Sequence, residues 1–122
     1  MLLPDLEKII NSELTTKINS SKIEHNQLEI SIDQEDLLDV ITFLKTNKNT
    51  KFRQLIDITA VDYPEKPKRF KLVYLLLSHE FNNRIKINYS VSENEIINST
   101  VKIFPSANWM EREVFDMYGI SF

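Results

Sequence analysis

Apolar and polar positions follow one another along this chain in two rhythms, and each rhythm predicts an element. Behind Pro4, the residues Leu6, Ile9, Ile10 and Leu14 share one stripe, with Asp5 and Glu7 near its start. This spacing predicts a short amphipathic N-terminal helix. From Lys17 to Ile23 the alternation is weak, but Leu28-Glu-Ile30-Ser-Ile32 has strict period two. With His25-Asn26 as the turn, these two runs predict a hairpin. Asp33 then stands as the cap of a second helix, with Glu35 and Asp36 favouring its positive first turn. Leu37, Leu38, Val40, Ile41 and Leu44 form its broad apolar stripe. Thr46 to Thr50 is a polar loop between elements, without the proline or glycine of a linker.

Lys51 to Tyr63 reads as a strand. Its apolar residues Phe52, Leu55, Ile56, Ile58 and Val61 are too dense for a half-exposed strand, which predicts a central place in the sheet. After the charged turn Pro64 to Arg69, the run Phe70 to Ser78 is the most apolar of the chain. Asn82-Asn83 is a turn, and Arg84 to Val91 alternates with Ile85, Ile87, Tyr89 and Val91 on one face. Three strands joined by short loops predict an antiparallel meander. Asp57 and Asp62, five apart, point to opposite faces, and Asp62 is within reach of Arg69. His79 is expected to be solvated or paired with Glu80. The fold class is α+β: one domain over residues 1–122, with a mixed, mostly antiparallel sheet of about five strands covered by helices.

The last stretch carries the most chemistry. Pro105 keeps Phe104 out of the helical region, Ser106 or Asn108 can cap, and Gly119 suits a left-handed helix end, so a helix is predicted from Ala107 to Tyr118. Upstream, Ser99 is placed to cap a single helical turn that Pro105 stops. Winding the C-terminal helix at about 100° per residue puts Trp109, Arg112, Glu113 and Asp116 on one side and Met110, Val114, Phe115, Met117 and Tyr118 on the other. Of these, Met110, Val114 and Met117 are expected to cover the sheet. Glu111 falls on the apolar side, where an ionised carboxylate needs a cation or several N–H donors. The patch fits a solvated face, a catalytic carboxylate group, or a protein-docking face.

Composition narrows these choices. The net charge of −3 gives no general attraction to nucleic acid, and no run approaches the length of a membrane span. The opening residues, from Met1 to Glu7, lack the basic start of a secretion signal. Without cysteine there is no disulfide and no thiolate to hold an iron–sulfur cluster. A single glycine leaves no Gly-rich phosphate turn, and His25 and His79 lack metal-ligand spacing.

The run Ala107-Asn-Trp109-Met-Glu111-Arg112-Glu113-Val-Phe-Asp116-Met-Tyr118-Gly119-Ile-Ser-Phe122 closely resembles the signature of the C subunit of respiratory complex I, the proton-pumping NADH:quinone oxidoreductase. Phe52 to Pro64, Arg69-Phe70, Tyr74 to Ser78 and Ser99 to Pro105 are similar to the same family, so the resemblance spans roughly residues 30 to 122. It implies a non-catalytic peripheral-arm subunit, packed against the quinone-site and iron–sulfur subunits on the cytoplasmic side of a bacterial inner membrane, or the matrix side in an organelle. FMN, iron–sulfur clusters and quinone would belong to the whole complex, with no cofactor held by this chain. Family members continue beyond this point with a His-, Pro-, Arg- and Lys-rich tail, so a missing tail is expected. On this reading Trp109, Glu111, Arg112, Glu113, Asp116, Tyr118 and Gly119 are the interface or structural residues. Glu111 and Arg112 are expected to make ion pairs inside the domain, with Trp109 and Tyr118 filling apolar contacts. Arg112→Ala should then destabilise more than Lys48→Ala. The alternatives are the same domain in a ferredoxin-using or hydrogenase complex, or a free-standing enzyme using Glu111, Glu113 and Asp116.

Overall fold

The computed structural model describes residues 3–122; Met1 and Leu2, which begin the stretch read for a leader, lie outside the described residues. The elements run α1 (Leu3–Glu13), β1 (Ser20–Glu24), β2 (Gln27–Ser31), α2 (Leu37–Thr46), β3 (Gln54–Asp62), β4 (Phe70–Ser78), β5 (Asn83–Val91) and α3 (Ala107–Tyr118). The α+β class holds, with a five-stranded sheet in the order β1-β2-β5-β4-β3. Every neighbouring pair is antiparallel except β2 with β5, which run parallel with Leu28 opposite Ile85 and Ile30 opposite Ile87.

Turn chemistry explains the hairpin. His25 and Asn26 both take positive φ, 52° and 60°, which lets two residues reverse the chain between β1 and β2. The second helix begins differently from expectation. Asp33 is extended and makes no side-chain cap, because its carboxylate instead accepts from Asn19 Nδ2 at 3.0 Å. A 3₁₀ turn over Gln34–Asp36 therefore precedes α2.

One face of the sheet meets the helices. Leu28 and Ile30, Phe70, Leu72, Tyr74 and Leu76, and Ile85, Ile87, Tyr89 and Val91 are all buried there, against Leu6 and Ile10 of α1 and Leu37, Val40, Ile41 and Leu44 of α2. Alternate residues of β4, Lys71, Val73, Leu75 and Leu77, face the other way and stay partly exposed. The expectation of a central β3 is overturned: β5 returns between β2 and β4, which leaves β3 at the edge. Its apolar density comes from packing beside α3 and from a bulge at Ile56, which has no partner on β4 between Leu55 opposite Leu76 and Asp57 opposite Leu75.

Asp57 and Asp62 do point to opposite faces. Asp62 accepts from Arg69 Nε at 2.7 Å and Nη2 at 2.8 Å, and these bonds hold its carboxyl below the usual range. His79 bonds Gln54 Oε1 at 2.6 Å and not Glu80, whose carboxylate is taken by Lys51 at 2.7 Å and Arg53 at 3.6 Å.

Candidate interaction ridge on α3

Helix α3 starts where Pro105 forces it to. Ala107 N donates to Phe104 O and Asn108 N to Pro105 O, so backbone bonds close its first turn. Ser106 occupies the cap position with helical angles and no side-chain bond, so neither Ser106 nor Asn108 caps as anticipated. The helix ends as the lone glycine requires. Gly119 is left-handed at φ 71°, ψ 17°, and its N–H donates to Phe115 O at 2.8 Å.

A Cβ at position 119 would meet no atom within 4 Å, so substitution there is opposed only by backbone strain. Gly119→Val is expected to lose more than about 1 kcal/mol of stability and Gly119→Asn less, in urea unfolding. Equal midpoints for the two variants would contradict this.

The buried arc of α3 is Ala107, Glu111 and Val114, flanked by partly buried Met110 and Tyr118. Glu111 belongs to this arc and is 6% exposed. The reason is a set of donors from the preceding loop. Ser99 Oγ donates to Oε1 at 2.7 Å, and Thr100 N and Oγ1 donate to Oε2 at 2.8 and 3.2 Å. Thr100 is itself fully buried and also receives Phe104 N at 2.8 Å, closing the single helical turn. Ser99 Oγ accepts from Val101 N at 3.3 Å as it donates to Glu111, so this residue both starts the turn and grips the helix. Further on, Ile97 N donates to Ser121 O at 2.9 Å, so the loop holds α3 at its middle and past its end.

The expected internal ion pairs of Glu111 and Arg112 are therefore absent among the described residues. Glu111 is satisfied by one N–H and two hydroxyls, and Arg112 is exposed without a salt bridge. That removes the reason for Arg112→Ala to destabilise the fold. Two apolar side chains face otherwise than expected, and a third lacks the burial expected of it. Met117 is 67% exposed and Phe115 51%, so both belong to the outer side, and Trp109, on the side that its helical phase predicts, is 71% exposed and not buried in an apolar contact. Tyr118 stays partly buried with its ring edge-on to Phe70, centroids 6.1 Å apart.

The outer side is a ridge with two flanks. Along one runs a cleft of about 320 Å³ lined by Asn108, Glu111, Arg112, Phe115, Ser121 and Phe122. Along the other, between α3 and β3, lies a groove of about 210 Å³ that includes Asp57, Thr59, Glu113 and Met117. Glu111, Glu113 and Asp116 do not converge: Glu111 is engaged inward with Ser99 and Thr100, Glu113 lines the β3 groove, and Asp116 is exposed. A three-carboxylate acid–base or metal site is thus not assembled. Among the described residues, the one close group of three carboxylates is Asp33, Glu35 and Asp36. There Asn19 occupies Asp33, and Lys17 lies 3.6 Å from Asp36.

Sequence reasoning found the ridge residues but missed Ser99 and Thr100 as the partners of Glu111. The detectable signal was an acid on the apolar arc with a Ser-Thr pair a short loop upstream. It also missed the buried Tyr74 and Tyr89 pair, whose hydroxyls are 2.8 Å apart.

Comparison with known proteins places this arrangement. Residues 30–122 match the family described as respiratory-chain NADH dehydrogenase, 30 Kd subunit. The NADH-quinone oxidoreductase C subunit of Dinoroseobacter shibae is 44% identical over 120 residues, 98% of this chain and 56% of that protein. The corresponding C subunit of Chelativorans sp. is 39% identical, over 98% of this chain and 60% of its own length. The chain thus spans a little over half of the relatives it matches. A chain in the structure of the membrane-bound sulfane sulfur reductase, an archaeal respiratory membrane complex, superposes with a TM-score of 0.84 at 24% identity. That superposition covers 98% of this chain and 69% of the other, and it speaks for the fold. On the match over residues 30–122, this chain belongs to the family of the 30 Kd subunit of the respiratory-chain NADH dehydrogenase.

Proposed function

We propose that residues 1–122 act as a single non-catalytic domain of the peripheral arm of an NADH:quinone oxidoreductase, supporting electron transfer from NADH to quinone coupled to proton translocation. The observation that carries this reading is the family match over residues 30–122, together with relatives named as the C subunit of NADH-quinone oxidoreductase. The side chains agree with a supporting role. With no cysteine, and with His25 at a hairpin tip and His79 bonded to Gln54, the donor set does not fit an iron–sulfur cluster. FMN, clusters and quinone would sit in companion subunits, of which the quinone-site and iron–sulfur subunits are the proposed neighbours. Among the described residues no helix is long and apolar enough to cross a membrane. We place the domain peripherally, on the cytoplasmic face of a bacterial inner membrane or its organellar equivalent.

Affinity-tagged full-length protein, produced in its own host, tests the reading. It is expected to co-purify in stoichiometric amount with cluster-bearing subunits and with NADH:quinone activity. Isolation without companions, or turnover by this polypeptide alone, would overturn it.

A further inference from the structure

The charges around α3 are divided by the helix itself. On one flank the Arg112 guanidinium lines a cleft with Asn108, Phe115, Ser121 and Phe122. Asp116, four residues on, is exposed and forms no salt bridge with it, so this cation is uncompensated among the described residues. On the other flank Asp57 of β3 and Glu113 of α3 line one groove, and neither has a cationic partner among the described residues. Between them the crest carries Trp109, while Phe115 lines the Arg112 cleft and Met117 the acidic groove, all three more exposed than not. Elsewhere this fold pairs opposite charges that lie close, as at Arg69 with Asp62 or Lys51 with Glu80. Across α3 it cannot, because the ridge stands between Arg112 and the two acids.

We propose that this ridge is a polarised docking face for another protein chain, one that brings a carboxylate side chain to Arg112, a lysine or arginine to Asp57 and Glu113, and an apolar strip to the crest. The inference rests on the assembly role proposed above and adds the surface and the chemistry of its partner. Charge complementarity selects that occupant. A polyanion such as nucleic acid or an anionic lipid surface would gain Arg112 but face Asp57, Glu113 and Asp116. A protein surface with opposite signs on its two sides meets both flanks, and in one orientation only. Trp and Arg beside each other are also the residue types on which binding energy concentrates once water is excluded. Held at mid-length by Ser99 and Thr100, the helix offers this face as a rigid body.

The test uses the tagged full-length protein in its host. R112E, and separately the pair D57K and E113K, are expected to lower the fraction of tagged chain found in the assembled oxidoreductase on the order of tenfold. R84E, an exposed reversal on β5, should leave it unchanged. In otherwise unaltered protein, a photo-cross-linker replacing Phe115, beside Arg112, should join a partner segment bearing Asp or Glu, and one replacing Met117, beside Glu113, a segment bearing Lys or Arg. These cross-links decide the matter even if a charge reversal disturbs folding. Wild-type chain in the complex with R112E equally present would overturn the docking face alone, as would cross-links to a second copy of this chain. Wild-type chain absent from the complex would remove the assembly role and the docking face together.

Discussion

Glu111→Ala is expected to lower the unfolding free energy by about 3 kcal/mol, measured by urea denaturation against Lys48→Ala. The carboxylate is 6% exposed and receives three hydrogen bonds, and two of its donors belong to Thr100, which is fully buried. Alanine would leave the Thr100 N–H without an acceptor, and bonds to a charged group contribute about 1.5–3 kcal/mol each. The full sum is not expected, because removing the acid also removes the cost of burying its charge and lets both hydroxyls rotate. Glu111→Gln should lose only about 1 kcal/mol, since an amide oxygen can serve Thr100 while Ser99 Oγ turns to accept from the new NH₂. Arg112→Ala, on the outer side, should match the Lys48→Ala control. An alanine variant at 111 no less stable than that control would show that the loop does not hold the helix through this group.

Alkaline pH is expected to unfold the protein steeply, through Tyr74 and Tyr89. Burial is the main cause that pushes both phenols above their ordinary value of 10.0, and the Glu111 carboxylate adds to it. For Tyr74 the bond from Tyr89 works partly against this rise, and for Tyr89 the neighbouring Tyr74 reinforces it. In the unfolded chain both would ionise near pH 10, whereas in the fold they keep their protons. Their contribution is therefore complete below about pH 10 and is lost as the pH climbs toward the raised folded values. The loss is about 1.4 kcal/mol per pH unit for each tyrosine. Thermal melts from neutral pH upward, with tyrosinate absorbance followed alongside, would test this. The Tyr74→Phe, Tyr89→Phe double variant should show a shallower decline, and tyrosinate absorbance equivalent to all four tyrosines reached near pH 10 while the wild-type fold persists would refute the claim. Removing both hydroxyls should cost less at neutral pH than removing one, which strands the other.

What the sequence made legible was local. Pro105 and the single glycine delimited α3, His25-Asn26 located the hairpin turn, and apolar density found β3 and β4 while period-two alternation found β5. Pairing across the chain was not legible. No residue near β3 announces that β5 will pass between β2 and β4, so apolar density in Leu55 to Val61 suggested the centre when the cause was a helix alongside an edge. The same limit applied to the site. Helical phase put Glu111 among apolar neighbours, but its donors come from a loop whose path only the packed fold determines. Helical phase also put Phe115 and Met117 on the inner side, whereas both are more than half exposed, because phase says which residues share a side and not how wide an arc the sheet covers.

The parallel seam between β2 and β5 also orders events in time. As the polypeptide leaves the ribosome, α1 and the first hairpin emerge well before residues 83–91, the strand against which Leu28 and Ile30 must register. Until then the N-terminal hairpin has α1 and α2 beside it but no further strand to pair with. The hairpin thus waits on a strand made much later, and the sheet closes at its middle.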